Sequence, residues 1–222
     1  MLSKIYTPKQ IEILKACRNS DWFMLINHGA KRSGKTQLDN ELFLAELRKV
    51  RQTADQLGID TPQYILAGYS LGNIQDNILT ELSNKYGFEF KFDKYNNFNL
   101  FGVKVIQTSH GSISGLGRIP GMTAFGAYIN EASLANQEVF DEIKARCSGK
   151  GARIIADTNP DHPEHWLLKD LPQQLHCPGA FKTVLFGGVP DGHRHVRYPV
   201  GKPLRRPGRG GGKGPGGLYP GL

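Results

Sequence analysis

The sequence predicts an α/β protein in which helices cover both faces of a mostly parallel sheet. Short apolar runs, typical of buried strands, alternate along the chain with segments whose apolar residues recur at helical spacing. A glycine-rich loop follows the first of these runs and precedes a segment with a helical pattern. The composition, with 39% hydrophobic and 22% charged residues, is that of an ordinary globular protein.

The first elements follow from capping and apolar pattern. Thr7 can cap a helix, Pro8 suits its first position and Gln10 completes a capping box. The apolar run at 22–26 predicts the first strand, and the run at 64–67 predicts the second. Between them, a helix is predicted from Leu38, Leu42 and Ala45, which share one face.

The middle of the chain predicts a helix, two strands and a loop. The helical face consists of Leu71, Ile74, Ile78 and Leu82. Alternating phenylalanines at 88, 90 and 92 predict a strand, the Asn-Asn pair at 96–97 a turn, and residues 100–106 a second strand. The glycine-rich segment GSISGLGRIPG at 111–121 predicts a loop.

The last part of the domain repeats the strand–helix alternation. Residues 127–129 and 153–157 are short apolar runs, which predict strands. The helical face between them consists of Val139, Phe140, Ile143 and Cys147. We therefore expect a single domain over residues 1–186.

The composition changes after residue 186, where 12 of 36 residues are glycine and six are proline. Such a segment cannot bury enough surface to offset its ordering entropy, so we expect a disordered tail at 187–222. The tail is either a flexible extension or the out-of-frame product of a truncated gene. It holds seven basic residues and one acid, so the remainder carries only +2 of the net charge of +8. Basicity therefore does not mark the domain as DNA-binding, although a basic tail can bind nucleic acid nonspecifically.

Membrane and secretory signals are missing from the sequence pattern. No apolar run approaches the 18 residues of a membrane span, and the first ten residues lack the apolar core of a signal peptide. The three cysteines, Cys17, Cys147 and Cys177, are scattered, which suits a reducing cytoplasm and predicts neither disulfides nor a metal site.

The segment GAKRSGKT at 29–36 matches the phosphate-binding pattern G-x-x-x-x-G-K-[ST]. Backbone N–H groups and the following helix N-terminus would face the phosphates of ATP. Lys35 would reach the β- and γ-phosphates, and the Thr36 hydroxyl would bind Mg²⁺. The predicted nucleotide-binding residues of this loop are Gly29, Ala30, Lys31, Arg32, Ser33, Gly34, Lys35 and Thr36.

An apolar strand ending in Asn130-Glu131 supplies a candidate catalytic acid. In ATPases an acid at this place polarises the water that attacks the γ-phosphate, which is the role predicted for Glu131. Asn130 stands where an aspartate usually orients Mg²⁺ through water. An amide can still bond a metal-bound water, so Asp at position 130 is expected to be tolerated. The alternative is that the two residues merely end a strand and cap a helix.

Polar residues also follow the next strand, in Asp157-Thr158-Asn159-Pro160. Asn159 would face the ligand crevice and sense the γ-phosphate, although Asn-Pro is also a turn signal. Arg118 is a candidate for contact with phosphate or a neighbouring subunit, or a solvated loop charge. His162 and His165 lack a third ligand in their pattern, so a loop or helix start is favoured over a metal pair.

These segments together resemble the large subunit of phage terminases, in particular the PBSX-like branch. The resemblance is carried by GAKRSGKT, by GRIPGMTAFGAYINEAS at 117–133 and by TNPDHPEHW at 158–166, in matching order over about residues 5–170. It implies a P-loop NTPase fold of the additional-strand, conserved-glutamate type, with Glu131 as catalytic carboxylate. It also implies that residues 158–160 couple hydrolysis to DNA movement and that Gln10 lies near the adenine. For Gln10 the capping box remains an equally good interpretation.

The resemblance implies a motor that couples ATP hydrolysis to translocation of double-stranded DNA into a procapsid. Its expected partners are DNA, a portal protein, a small terminase subunit and further copies in a ring, with no membrane. Its expected location is the host cytoplasm and, transiently, the procapsid portal vertex. Large terminases continue into a nuclease domain with clustered carboxylates. After Asp170 this chain has one acid, Asp191, so no nuclease activity is expected.

Two alternative functions stay open at this point. A small-molecule kinase on the same scaffold would need a lid with arginines, and the segment 111–121 contains only one. A truncated fragment would bind ATP without motor function.

Overall fold

The computed structural model describes residues 5–19, 22–119, 121–159, 165–167 and 181–186. Within these residues seven strands form one sheet: β1 (Met24–Gly29), β2 (Gln63–Gly68), β3 (Phe98–Leu100), β4 (Val103–Ser109), β5 (Ala124–Ile129), β6 (Arg153–Thr158) and β7 (Phe181–Phe186). Their order across the sheet is β3-β4-β2-β5-β6-β1-β7. β3 runs antiparallel to β4, and all other neighbouring pairs are parallel.

Helices cover both faces of this sheet, as the sequence predicts. They are α1 (Pro8–Asn19), α2 (Lys35–Leu57), α3 (Leu71–Ile74), α4 (Thr80–Tyr86) and α5 (Gln137–Arg146). A π-helical segment, Gln75–Leu79, joins α3 to α4, and 3₁₀ helices occupy Ile113–Arg118 and Ala132–Leu134. None of the described helices is long and apolar enough to cross a membrane.

Alternate strand residues enter two separate cores, because successive side chains of a strand point to opposite faces. Leu25 of β1 packs in one core with residues of α1 and α2, among them Ile13 and Leu38. Its neighbour Ile26 packs in the other core with residues of α5, among them Ile143. Strands β1, β2, β5 and β6 are buried on both faces, which explains why they appear in the sequence as continuous apolar runs rather than alternating ones.

The predicted strands at 64–67 and 153–157 are confirmed. The strand predicted at 22–26 lies a few residues later, and the strand predicted at 127–129 begins a few residues earlier and ends where predicted. The prediction for residues 88–106 is wrong in two places. Phe88 and Phe90 lie outside any strand. The Phe90 ring centroid is 5.0 Å from that of Phe98, and the Phe88 ring packs against Phe90 and Phe101. Phe101 and Gly102, with φ of 55° and 75°, form a turn that divides the second predicted strand into β3 and β4. Alternation of aromatic residues here builds an aromatic cluster instead of a strand.

The predicted loop at 111–121 contains the 3₁₀ helix Ile113–Arg118. Gly115 permits it, because a Cβ there would lie 1.7 Å from the Ser109 carbonyl oxygen. The Thr108 hydroxyl donates to the Gly115 carbonyl at 2.9 Å and fixes this close approach. β7 was not predicted. The predicted tail at 187–222 lies outside the described residues.

Candidate functional site

The loop between β1 and α2 has the backbone shape that binds anions. Arg32 has φ of 62° and Gly34 has φ of 83°, so the chain turns through left-handed positions before the helix begins. No side chain caps α2 at Gly34. The first N–H groups of α2 therefore lack a side-chain acceptor at this cap, and the helix dipole adds to their attraction for phosphate.

Lys35, the first residue of α2, is folded back onto this loop. Its Nζ donates to the carbonyl oxygens of Gly29 at 2.7 Å and Ala30 at 2.8 Å, and to Asn159 Oδ1 at 3.2 Å. Burial lowers the pKa of Lys35, and Asp157 is the largest of the opposing charges that raise it. Lys35 thus joins the phosphate loop to the end of β6, where Asn159 follows the strand.

A cleft of about 420 Å³ lies over the loop. It is lined by Lys31, Arg32, Ser33, Gly34, Lys35, Thr36, Gln37, Glu131, Asp157 and Asn159. The structure therefore brings most of the predicted site residues to one place. Gln37 and Asp157 were not predicted as site residues.

Glu131 is the second residue after β5 and is half-buried at the cleft. Its backbone is left-handed, with φ of 56° and ψ of 49°. Its N–H donates to Asp157 Oδ1 at 2.7 Å. The conformation is strained for a residue with a Cβ, and one bond from the neighbouring strand end helps to hold it.

Asn130 is buried and is not among the residues that line the cleft. Its Nδ2 donates to Asp157 Oδ2 at 2.8 Å, and its Oδ1 accepts from Asn77 Nδ2 at 3.2 Å. Both ends of the amide are therefore occupied by protein groups. The role predicted for Asn130 beside a metal-bound water stays a prediction.

Asp157 is the buried one of the two cleft residues that the sequence does not predict, the other being the exposed Gln37. Asp157 is 3% exposed and lies at the cleft, on the strand between β5 and β1. Burial raises the pKa of Asp157, and the hydrogen bonds from Glu131 and Asn130 oppose that rise. The available signal was an acid two residues before Asn159 at the end of an apolar strand.

A second buried acid, Asp39, lies beneath the cleft on α2. It accepts a hydrogen bond from the Asn27 side chain of β1. Burial raises the pKa of Asp39 well above its usual value, and the charge of Asp157 adds to the rise. The positive charge of Lys35 opposes this rise, so the acids and the lysine form one electrostatic group under the phosphate loop.

The donor groups at the cleft fit Mg²⁺. Thr36 is half-buried at the cleft, and the carboxyl groups of Glu131 and Asp157 line the same space. Mg²⁺ takes oxygen ligands and typically keeps several waters, with one or two carboxylates and the substrate phosphates completing its shell. Among the described residues no cluster of three or more His, Cys, Asp or Glu could hold a metal by itself.

Gln10 forms hydrogen bonds both at the N-terminus of α1 and to the phosphate loop. Its Oε1 accepts from the Thr7 N–H at 2.8 Å and its own N–H donates to Thr7 Oγ1 at 3.3 Å, which confirms the capping box. Its Nε2 donates to the Gly34 carbonyl at 3.1 Å. The predicted position near an adenine remains untested, but Gln10 does contact the loop.

Arg118 lies away from the cleft lining. It donates to the carbonyl oxygens of Tyr95 at 2.9 Å and Gln107 at 3.4 Å. In this structure Arg118 therefore ties the 3₁₀ helix to the β4 region. Of the two histidines considered as a metal pair, His165 lies beside Trp166, and His162 falls outside the described residues.

The sheet and the site define a P-loop NTPase of the additional-strand type. β6 lies between β1, which leads into the phosphate loop, and β5, which is followed two residues later by the acid Glu131. No known family model and no curated protein matches the sequence. Solved structures that match include the large terminase of a thermophilic bacteriophage.

Two structures of that phage terminase illustrate the likeness. One crystal form is 21% identical with a TM-score of 0.64, covering 82% of this chain and 45% of the terminase. The complex of the same terminase with ATP-γ-S is 20% identical with a TM-score of 0.65, covering 82% and 44%. The chain thus has the fold of a phage large terminase and spans less than half the length of that protein.

Proposed function

We propose that this chain is the ATP-hydrolysing motor domain of a viral DNA-packaging terminase. The observation that carries the proposal is one cleft that holds the phosphate loop, Lys35, Asn159 and the acid Glu131. The likeness in fold to the large terminase of the thermophilic phage supports the assignment to packaging. Water is the acceptor of the γ-phosphoryl group, and the products are ADP and inorganic phosphate.

Lys35 supplies positive charge to the β- and γ-phosphates. Its ammonium group bonds the Gly29 and Ala30 carbonyls and Asn159. Phosphate oxygens are stronger acceptors than carbonyls, so bound ATP would replace the two loop carbonyls. The bond from Lys35 to Asn159 supports the proposal that Asn159, at the end of β6, senses the γ-phosphate.

Glu131 acts on the attacking water. The water oxygen forms a bond to the γ-phosphorus while the bond from that phosphorus to the β–γ bridging oxygen breaks. The Glu131 carboxylate orients the water and accepts its proton. The half-buried position at the cleft allows this approach.

Thr36, with water held by the carboxyl groups at the cleft, would hold Mg²⁺. The ion, when bound, neutralises the charge that accumulates on the phosphate oxygens. In the proposed assembly the motor acts on double-stranded DNA with a portal protein, a small terminase subunit and other copies of itself. It works in the host cytoplasm and at the procapsid portal vertex.

Phosphate release by the full chain, with and without duplex DNA, tests this proposal. Lys35→Ala should abolish turnover and weaken ATP binding, because the charge facing the phosphates is lost. Thermal unfolding shows that the variant is folded. Wild-type turnover in the folded variant would disprove the phosphate-loop assignment. Transfer of the phosphoryl group to a small molecule instead of water would favour the kinase, and no turnover by the wild type would favour the inactive fragment.

A further inference from the structure

The ends of β5 and β6 are joined by a buried pair of side chains, Asn130 and Asp157. The Asn130 amide donates to one oxygen of Asp157 at 2.8 Å, and the Glu131 N–H donates to the other at 2.7 Å. The Tyr128 hydroxyl approaches the first oxygen at 3.4 Å. Asp157 therefore accepts hydrogen bonds from three residues at the end of β5, namely Tyr128, Asn130 and Glu131. Of these three residues, Glu131 lines the cleft.

Asn130 has little freedom to turn away from Asp157. Its backbone N–H donates to the Ala67 carbonyl at 2.9 Å, and its carbonyl accepts from His110 Nε2 at 2.7 Å. Its side-chain oxygen accepts from Asn77 at 3.2 Å. The side-chain nitrogen is therefore directed at Asp157, and position 130 requires a donor.

We infer that Asp157 is a positioning residue for Glu131, and that Asn130 must be an amide because it donates to the Asp157 carboxyl group. The carboxyl oxygen of Asp157 accepts the Glu131 N–H and so stabilises the left-handed backbone from which the Glu131 side chain enters the cleft. The catalytic importance of this positioning rests on the proposed function, whereas the pairing of Asn130 with Asp157 does not.

Asp at position 130 is therefore expected to impair the protein, contrary to the prediction made from the sequence. Asn130→Asp would put two carboxyl groups 2.8 Å apart in a buried place, where like charges are most costly. The exchange Asn130→Asp with Asp157→Asn restores the pair. The amide introduced at 157 can accept from the Glu131 N–H with its oxygen and donate to the acid at 130 with its nitrogen.

A double-mutant cycle tests this inference in the full chain. The proteins are wild type, N130D, D157N and N130D/D157N, each measured for ATP turnover, ADP binding and thermal unfolding without nucleotide. N136D is the matched control, since Asn136 caps α5 and Asp caps a helix equally well.

N130D should lose turnover by about 10-fold or more, within the range of coupling between contacting residues, while ADP binding changes by less than about threefold. In the D157N background, the loss of turnover caused by N130D should be about 10-fold smaller than in the wild type. N136D should match the wild type.

Two results would overturn the inference. Turnover of N130D at or above the wild-type level would mean that residue 130 does not depend on donating to Asp157. An equal loss from N130D in both backgrounds, or failure of the double variant to recover the unfolding temperature lost in N130D, would mean that the pair is not coupled. If the wild type itself lacks turnover, the proposed function fails, and the unfolding temperatures of the four proteins still test the pair.

Discussion

Glu131 shows how one residue depends on its neighbours. A left-handed backbone costs a residue with a Cβ about 1–2 kcal/mol, and such strain persists where surrounding contacts hold it. The Glu131 N–H donates to the buried carboxyl group of Asp157, which lies on the neighbouring strand β6. The backbone at position 131 is therefore set by tertiary contact and not by its local sequence.

Glu131→Gln is expected to keep nucleotide binding and to lower turnover by about 100-fold or more, as for loss of a general base. The amide keeps the shape of the side chain but cannot accept the proton of the attacking water. ATP binding and phosphate release, measured on the same preparation, check this. A parallel fall in both would assign Glu131 a structural or metal-linked role.

At the scale of elements, helix α1 and the phosphate loop are connected through Gln10. The side chain closes the N-terminal cap of α1 with one atom and bonds Gly34 with another. The φ of 83° at Gly34 favours glycine, and a Cβ there would lie 3.0 Å from Gln10 Nε2, so the Gln10 side chain would also have to shift. The packing of α1 therefore influences the shape of the loop.

Substitutions at Gln10 separate these two contacts. Gln10→Glu keeps an oxygen for the Thr7 N–H but loses the donor to Gly34, so it should weaken ADP binding while preserving the cap. Gln10→Ala loses both and should also destabilise the fold by about 0.5–2 kcal/mol. Calorimetric ADP binding and thermal unfolding measure the two effects.

Glu12→Gln is the control for the Gln10 variants, since Glu12 pairs at the exposed surface of α1 with Lys9 and such pairs contribute little. If Gln10→Glu binds ADP as the wild type does, the bond to Gly34 has no part in nucleotide binding.

The π-helical segment between α3 and α4 is the other element that reaches the site. It carries Asn77, whose side chain donates to Asn130. Single π-helical turns inside α-helices occur frequently at functional sites. The apolar face from Leu71 to Leu82 predicts a continuous helix and contains no signal for this irregularity.

At the scale of the molecule, the strand order brings the site together. β6 pairs with β1 on one side and β5 on the other, so the phosphate loop, Asn159 and Glu131 meet at one edge although far apart in sequence. Ligand crevices of open parallel sheets lie at this carboxyl edge. The position of the cleft is therefore determined by the order of the strands in the sheet.

Removal of residues 187–222 is expected to leave ATP affinity and the unfolding temperature nearly unchanged, because this segment lacks apolar periodicity. It should weaken nonspecific DNA binding and flatten its salt dependence, since seven basic residues are lost and phosphate contacts release counterions. DNA binding by fluorescence anisotropy at several salt concentrations checks this for more than one sequence.

A large fall in unfolding temperature after this truncation would mean that the tail packs on the domain. An unchanged salt slope would place the DNA contacts in residues 1–186 instead, with Lys31, Arg32 and Arg118 as the first positions to test.

The sequence by itself determined the sheet class, the phosphate loop and the capping box, because each depends on local spacing along the chain. Tertiary structure alone decided the site's internal connections. In the sequence, Asp157 is one acid among others at the end of a strand, and its role becomes visible only where β5 pairs with β6. Asn130 is predicted from the sequence as a metal-orienting residue, whereas in the structure its amide donates to Asp157. The phenylalanines at 88 and 90 likewise have strand-like alternation, but packing with Phe98 and Phe101 decides their place. Local patterns predict most of the elements, whereas contacts between residues distant in sequence decide what each polar side chain faces.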